Sequence, residues 1–348
     1  MNFTTPAGQL FWSRDAGSLR LDTDGAGCVH FSISCGSRSC AFDLVPVEGG
    51  CLLRLDELLE SMLPDPELSL PSPVRVMPAA RFDITADDGE TIASWWCLAF
   101  RGGAGGSLTG RFLSWKSNPS PAWRGCVEPL SLLVESGHVI FSAIAYLQLQ
   151  SPVTLTLAEV TVDAPSIVTI DASPDRIAAL LEERDVPVDS IIRAYDVSAT
   201  DTDPIRFIVH RKDARLTHFL FVNSLGVLDA IHASGSRRRS MEMVSGSFAN
   251  RGIECELYNR SYGKMSVSTG NIADGRTHHQ WMEFLCAHYR FLFRDDPERI
   301  VIDDISPETT DHEVSAISFT FHLSEEPHGW HFTDPELPPY GYPRTNPL

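Results

Sequence analysis

The chain has 348 residues, 43% hydrophobic and 21% charged, with a formal net charge of −18. That length allows two or three domains with cores of their own, and the composition excludes wholesale disorder. The negative balance argues against a nucleic-acid backbone as main partner, because phosphates require clustered Lys and Arg.

Met1 to Pro6 lacks a basic start followed by an apolar core, so no secretory signal is expected and synthesis is placed in the cytoplasm. No window approaches the ~18 apolar residues of a membrane span. Eight cysteines stand at 28, 35, 40, 51, 97, 126, 255 and 286 without a Cys-x-x-Cys pair, which favours reduced thiols over disulfides or a zinc knuckle.

Val29, Phe31, Ile33 and Cys35 alternate with polar residues at the two-residue period of a half-buried strand, and Cys40 to Val45 provides a hairpin partner. Asp56 is positioned to cap a short helix through Met62, ended by Pro64. Pro64, Pro66, Pro71 and Pro73 mark a linker, closing a first β-rich domain at 1–70.

A second β region, 74–172, contains Ile92 to Phe100 with Trp95 and Trp96, then Arg101 to Ser107, rich in glycine. That run lacks the Lys-Ser/Thr ending of a phosphate-binding loop and reads as a hairpin loop. Further strands follow at Val139 to Leu147 and through Val153, Leu155 and Leu157.

Ser173-Pro174-Asp175 opens a helix with a cap, a first-turn proline and an acid at the positive end, and Ile177, Leu180 and Leu181 form its apolar face. It begins a third β-rich region, 173–324. Within it, residues 218–235 stand out: two apolar runs flank Asn223-Ser224 and Gly226, the pattern of two strands joined tightly. This stretch shows no obvious reactive chemistry. Arg237-Arg238-Arg239 reads as a solvated loop. One packed helix is predicted near 277–290, capped by Thr277, with Trp281, Phe284, Leu285 and His288 on one face. Ile317, Phe319, Phe321 and Leu323 form the last strand, and six prolines in residues 325–348 describe an extended tail. The whole reads as all-β with a few short helices: two or three sandwich- or barrel-like domains in tandem.

No catalytic, cofactor-binding or metal-binding residue is assigned. His278, His279 and His288, and His328 and His331 with Asp311, His312 and Asp334, lack diagnostic ligand spacing. No Gly-x-Ser-x-Gly elbow appears. The acid pairs Asp87-Asp88, Asp295-Asp296 and Asp303-Asp304 sit in turn-like contexts rather than as glycosidase carboxylates. Most tryptophans belong to cores; Trp123 and Trp330, in Pro- and Gly-bearing surroundings, are the two expected to contact a partner or a glycan.

Three motifs carry a resemblance. Phe112-Leu113-Ser114-Trp115-Lys116 precedes Glu128-Pro129-Leu130; Phe219 to Val227 follows; Trp281 to Leu285 then stands ahead of Pro297 to Ile302. In this order the chain is similar to uncharacterised proteins of Bacteroidetes prophages and mobile elements that look like phage-tail or baseplate components. The resemblance implies a non-enzymatic structural or adaptor protein, working through interfaces with copies of itself and other tail-like proteins within a virion or tail-like particle. The alternative is a carbohydrate-binding or adhesin-like sandwich, and a glycan hydrolase comes third.

Overall fold

The computed structural model describes residues 1–24, 27–66, 72–103, 111–148, 150–186, 191–211, 216–250, 253–272, 274–294, 296–308 and 316–324, with only the strand course given for 242–250, 253–262 and 306–308. The fold is all-β: the described residues form strands in several sheets with three short α-helices. No described helix is long and apolar enough to cross a membrane.

The N-terminal part contains β1 (Asn2–Phe3), β2 (Gln9–Trp12), β3 (Ser18–Asp22), β4 (Val29–Cys35), β5 (Arg38–Leu44), β6 (Gly50–Arg54), α1 (Leu55–Met62), β7 (Val74–Pro78), β8 (Ala80–Asp87) and β9 (Ile92–Phe100). Sheets β1-β3-β6 and β2-β9-β8-β4-β5 share one core around Leu19, Leu21, Phe31, Ile33, Phe82, Ile84 and Trp95. As the alternation requires, Val29, Phe31, Ile33 and Cys35 are buried. Asp56 is not the cap of α1: the N-cap is Arg54, and Asp56 lies in the first turn, paired with that arginine.

The central part contains β10 (Ser120–Trp123), β11 (Pro129–Val134), β12 (Gly137–Leu147), β13 (Val153–Val162), β14 (Ser166–Asp171), α2 (Pro174–Glu182), β15 (Ile192–Ala199) and β16 (Ile205–His210). Sheets β11-β14-β7 and β10-β16-β15-β12-β13 enclose Phe141, Leu155, Val168, Tyr195 and Phe207. Ser173 caps α2 by accepting from the Arg176 amide, and Ile177, Leu180 and Leu181 are buried. Strand pairing crosses two of the expected boundaries. β8 and β9 complete the N-terminal sheet through β4, whereas β15 and β16 join the central one. The prolines near residue 70 interrupt the chain, but cross-strand burial decides which sheet each later strand joins.

The C-terminal part contains β17 (Thr217–Val222), β18 (Leu228–Ala233), β19 (Arg237–Asn250), β20 (Ile253–Ser268), α3 (Gly275–Cys286), β21 (Arg290–Phe293), β22 (Pro297–Glu308) and β23 (Ala316–Leu323), in one seven-stranded sheet ordered β18-β17-β21-β22-β23-β20-β19. Trp281, Phe284 and Leu285 of α3 pack on Phe219, Phe221, Phe319 and Phe321. The helix is capped by Asp274, whose carboxylate accepts from the Thr277 amide and hydroxyl; Thr277 is the partner of the cap rather than the cap. His288 is exposed beyond the helix end. Arg237 to Arg239 are exposed as expected, but they begin β19 instead of a loop.

β19 and β20 pair continuously from Arg237↔Val267 to Asn250↔Ile253. Among the described residues, β23 accompanies β20 over Lys264 to Ser268 alone. Met241 to Asn250 therefore run on as a two-stranded arm, ten residues long and, at about 3.3 Å per residue, roughly 33 Å in reach.

Candidate functional site

The 218–235 stretch folds as the β17–β18 hairpin. The Asn223 amide donates to the Val227 carbonyl, Gly226 donates back to the Asn223 carbonyl, and Gly226 takes φ 76°. No reactive chemistry is obvious in this stretch of sequence, but the fold brings its His218, Asp229 and His232 into a buried polar cluster.

The cluster forms where β18, the edge of the large sheet, meets the segments 113–117 and 124–128. Lys116 Nζ lies 2.8 Å from Glu128 Oε2, 3.0 Å from Asp229 Oδ1 and 2.9 Å from the Ala230 carbonyl. Gln280 of α3 donates to the same carbonyl. Side chains thereby occupy a strand edge that would otherwise be open to pairing. Ser114 donates to Asp229 Oδ2, and Asn223 reaches the same oxygen at 3.5 Å. Lys116, Glu128 and Asp229 are all at least 96% buried.

Burial works against the Lys116 charge, but Asp229 and Glu128 outweigh it and hold the ammonium pKa above its ordinary value. Burial pushes the Glu128 carboxyl up to about 7, only partly offset by Lys116. The second oxygen of Glu128, Oε1, faces His232 Nε2 at 3.3 Å without a well-aligned hydrogen bond.

His218 and His232 are directly opposed across the hairpin, their rings 4.6 Å apart and nearly parallel. Trp123 packs at a tilt against His232 at 4.7 Å and stacks on exposed His210 at 5.2 Å, while Phe293 closes on His218 at 5.2 Å. Desolvation holds both buried imidazoles neutral: His218 is brought down to about 3, and His232 lies well below the ordinary value. Neither ring nitrogen of His218, nor Nε2 of His232, has a well-aligned hydrogen-bond partner, although the Val127 backbone lies close enough to the His218 ring to favour its protonated form slightly. Buried Cys126, in the turn between β10 and β11, brings its sulfur within 4.8 Å of one nitrogen from each histidine.

Of the two tryptophans singled out in the sequence, Trp123 is half-buried in this ring stack, and its contacts with two imidazoles reduce the indole face open to a sugar. Trp330 lies outside the described residues, as do His328, His331, Asp311, His312 and Asp334. The acids at 87 and 88 hold the turn over 88–91, accepting from the amides of Gly89, Glu90 and Thr91. Asp303 pairs with His322. His279 sits edge-on to Trp115 and 3.6 Å from Glu283. No local motif marks the cluster, because Cys126 stands more than ninety residues from His218 and His232 in sequence. The His218–His232 opposition, however, follows from the hairpin register once Asn223 and Val227 are recognised as the closing pair.

A cleft of about 560 Å³ opens nearby between Arg14, Glu60 and Arg101 of the N-terminal part and the 222–226 turn with α3. Glu60 is committed to Arg101 and Ser13, and Glu283 accepts from the Ser224 amide, so these acids act as ties between parts of the chain. No protein-family model matches this chain, and no curated protein matches it.

Proposed function

We propose that the chain is a non-enzymatic structural or adaptor component of a phage-tail-like assembly, acting through interfaces with copies of itself and with neighbouring components. The observation that carries this reading is the β19–β20 arm. A two-stranded ribbon is marginal in water unless its face is covered or further strands pair with it. The arm extends past β23, and β19 is a sheet edge, so its backbone groups offer a template for strand addition by another chain. The motif resemblance supplies the particle class.

The test compares the whole protein with a variant in which residues 241–263 are replaced by an Asn-Gly turn, using light scattering across a concentration series. The expected result is a closed oligomer for the whole protein and a folded monomer for the shortened one. A whole protein that stays monomeric and shows no affinity for neighbouring tail components overturns the proposal.

A further inference from the structure

We propose that Cys126, His218 and His232 form a binding site for a zinc-class divalent cation, at the junction of the β17–β18 hairpin with the turn after β10. The inference is independent of the assembly role.

Three ligand atoms, one from each residue, already lie within 4.8 Å of one another. In a tetrahedral zinc site, with bonds of about 2.3 Å to sulfur and 2.0–2.1 Å to nitrogen, the donors stand roughly 3.5 Å apart. Closure therefore requires shifts of about an ångström in the side chains. The donor set, one thiolate and two imidazoles, matches the borderline-soft preference of zinc and leaves the fourth position for water or another oxygen donor.

The second observation is the poorly satisfied state of His218. His218 is 94% buried, neither ring nitrogen makes a well-aligned hydrogen bond, and the Val127 backbone can satisfy only one of the two, a costly arrangement for polar atoms in the interior. A metal ion provides the missing electrophile. Glu128 Oε1 beside His232 provides the carboxylate that typically accompanies and orients a metal-bound imidazole.

Lys116, Glu128 and Asp229 together carry one net negative charge when all are ionised. Binding expels the Cys126 thiol proton to solvent, so a divalent ion with its thiolate contributes one net positive charge. The buried assembly is then neutral overall.

The experiment uses the full chain, stripped of metal with a chelator and titrated with cobalt(II), then with zinc. The expected result is one equivalent bound, a thiolate-to-cobalt charge-transfer band, and its bleaching by zinc. Cys126→Ser abolishes the band and weakens zinc binding at least about a hundredfold, more than loss of an outer-shell partner. Cys286→Ser, at an exposed cysteine outside the cluster, leaves both unchanged. Zinc-edge absorption of the wild-type protein, which needs no variant to fold, should show one sulfur among nitrogen and oxygen neighbours. Absence of the charge-transfer band in the wild type, an all-oxygen and nitrogen shell, or a Cys126→Ser protein that binds as the parent does overturns the proposal.

Discussion

Lys116 holds two carboxylates that would otherwise be buried like charges. Replacing it with Met leaves Glu128 and Asp229 facing each other in the interior, and breaking a buried pair in this way costs about 3–5 kcal/mol. Chemical denaturation should therefore show Lys116→Met strongly destabilised, with Lys116→Met/Glu128→Gln recovering part of the loss. Tyr195 makes a different statement about pH. Its hydroxyl donates to the Ala172 carbonyl at 2.7 Å, and burial, reinforced by Glu128, holds its pKa well above 10. Above pH 10 the unfolded chain releases this proton while the folded chain keeps it. The unfolded state then binds fewer protons, and stability falls as pH rises. Tyr195→Phe should lose about 1 kcal/mol at neutral pH, from the hydrogen bond, yet show a shallower decline above pH 10 in thermal melts.

At the scale of single elements, α3 and the arm are opposites. The helix buries Trp281, Phe284 and Leu285 against the aromatic face of the large sheet. Trp281→Ala should cost about 3–5 kcal/mol, read by denaturant titration, because the surrounding rings cannot collapse into the space. The arm gains nothing comparable from β23 beyond Lys264. In hydrogen exchange on the monomeric protein, amides of 241–250 and 253–263 should exchange well before those of β17 and β21, and assembly should slow them. Equal protection of arm and central strands in the monomer would count against an arm that waits for a partner.

Across the whole molecule, the turn 223–226 is where the three parts meet. Gly103 donates to the Ser224 carbonyl, Asn223 donates to the Leu113 carbonyl, and Phe100, Leu113, Leu133, Ile167, Leu225 and Val227 share a small core. A Cβ at Gly226 would stand 1.8 Å from the Arg101 carbonyl oxygen, on a backbone with φ 76°. Only glycine admits that approach. Gly226→Ala should displace the 101–103 segment and split a single calorimetric transition into two, with the N-terminal part melting apart from the rest.

Much of the local structure was legible in the residues: the alternation of 29–35, the Ser173-Pro174 helix start and the hairpin at 218–235 all state their geometry through periods and turn residues that act over a few positions. The cap of α3 is Asp274, three residues before Thr277; both are capping types, and only their hydrogen bonds distinguish donor from acceptor. The assignment of β8, β9, β15 and β16 to their sheets, and the meeting of Lys116, Cys126 and Glu128 with Asp229, His218 and His232, were decided by tertiary structure alone. Strand order and buried charge pairing depend on which faces can be covered at the same time, and that is a property of the packed chain rather than of any stretch within it.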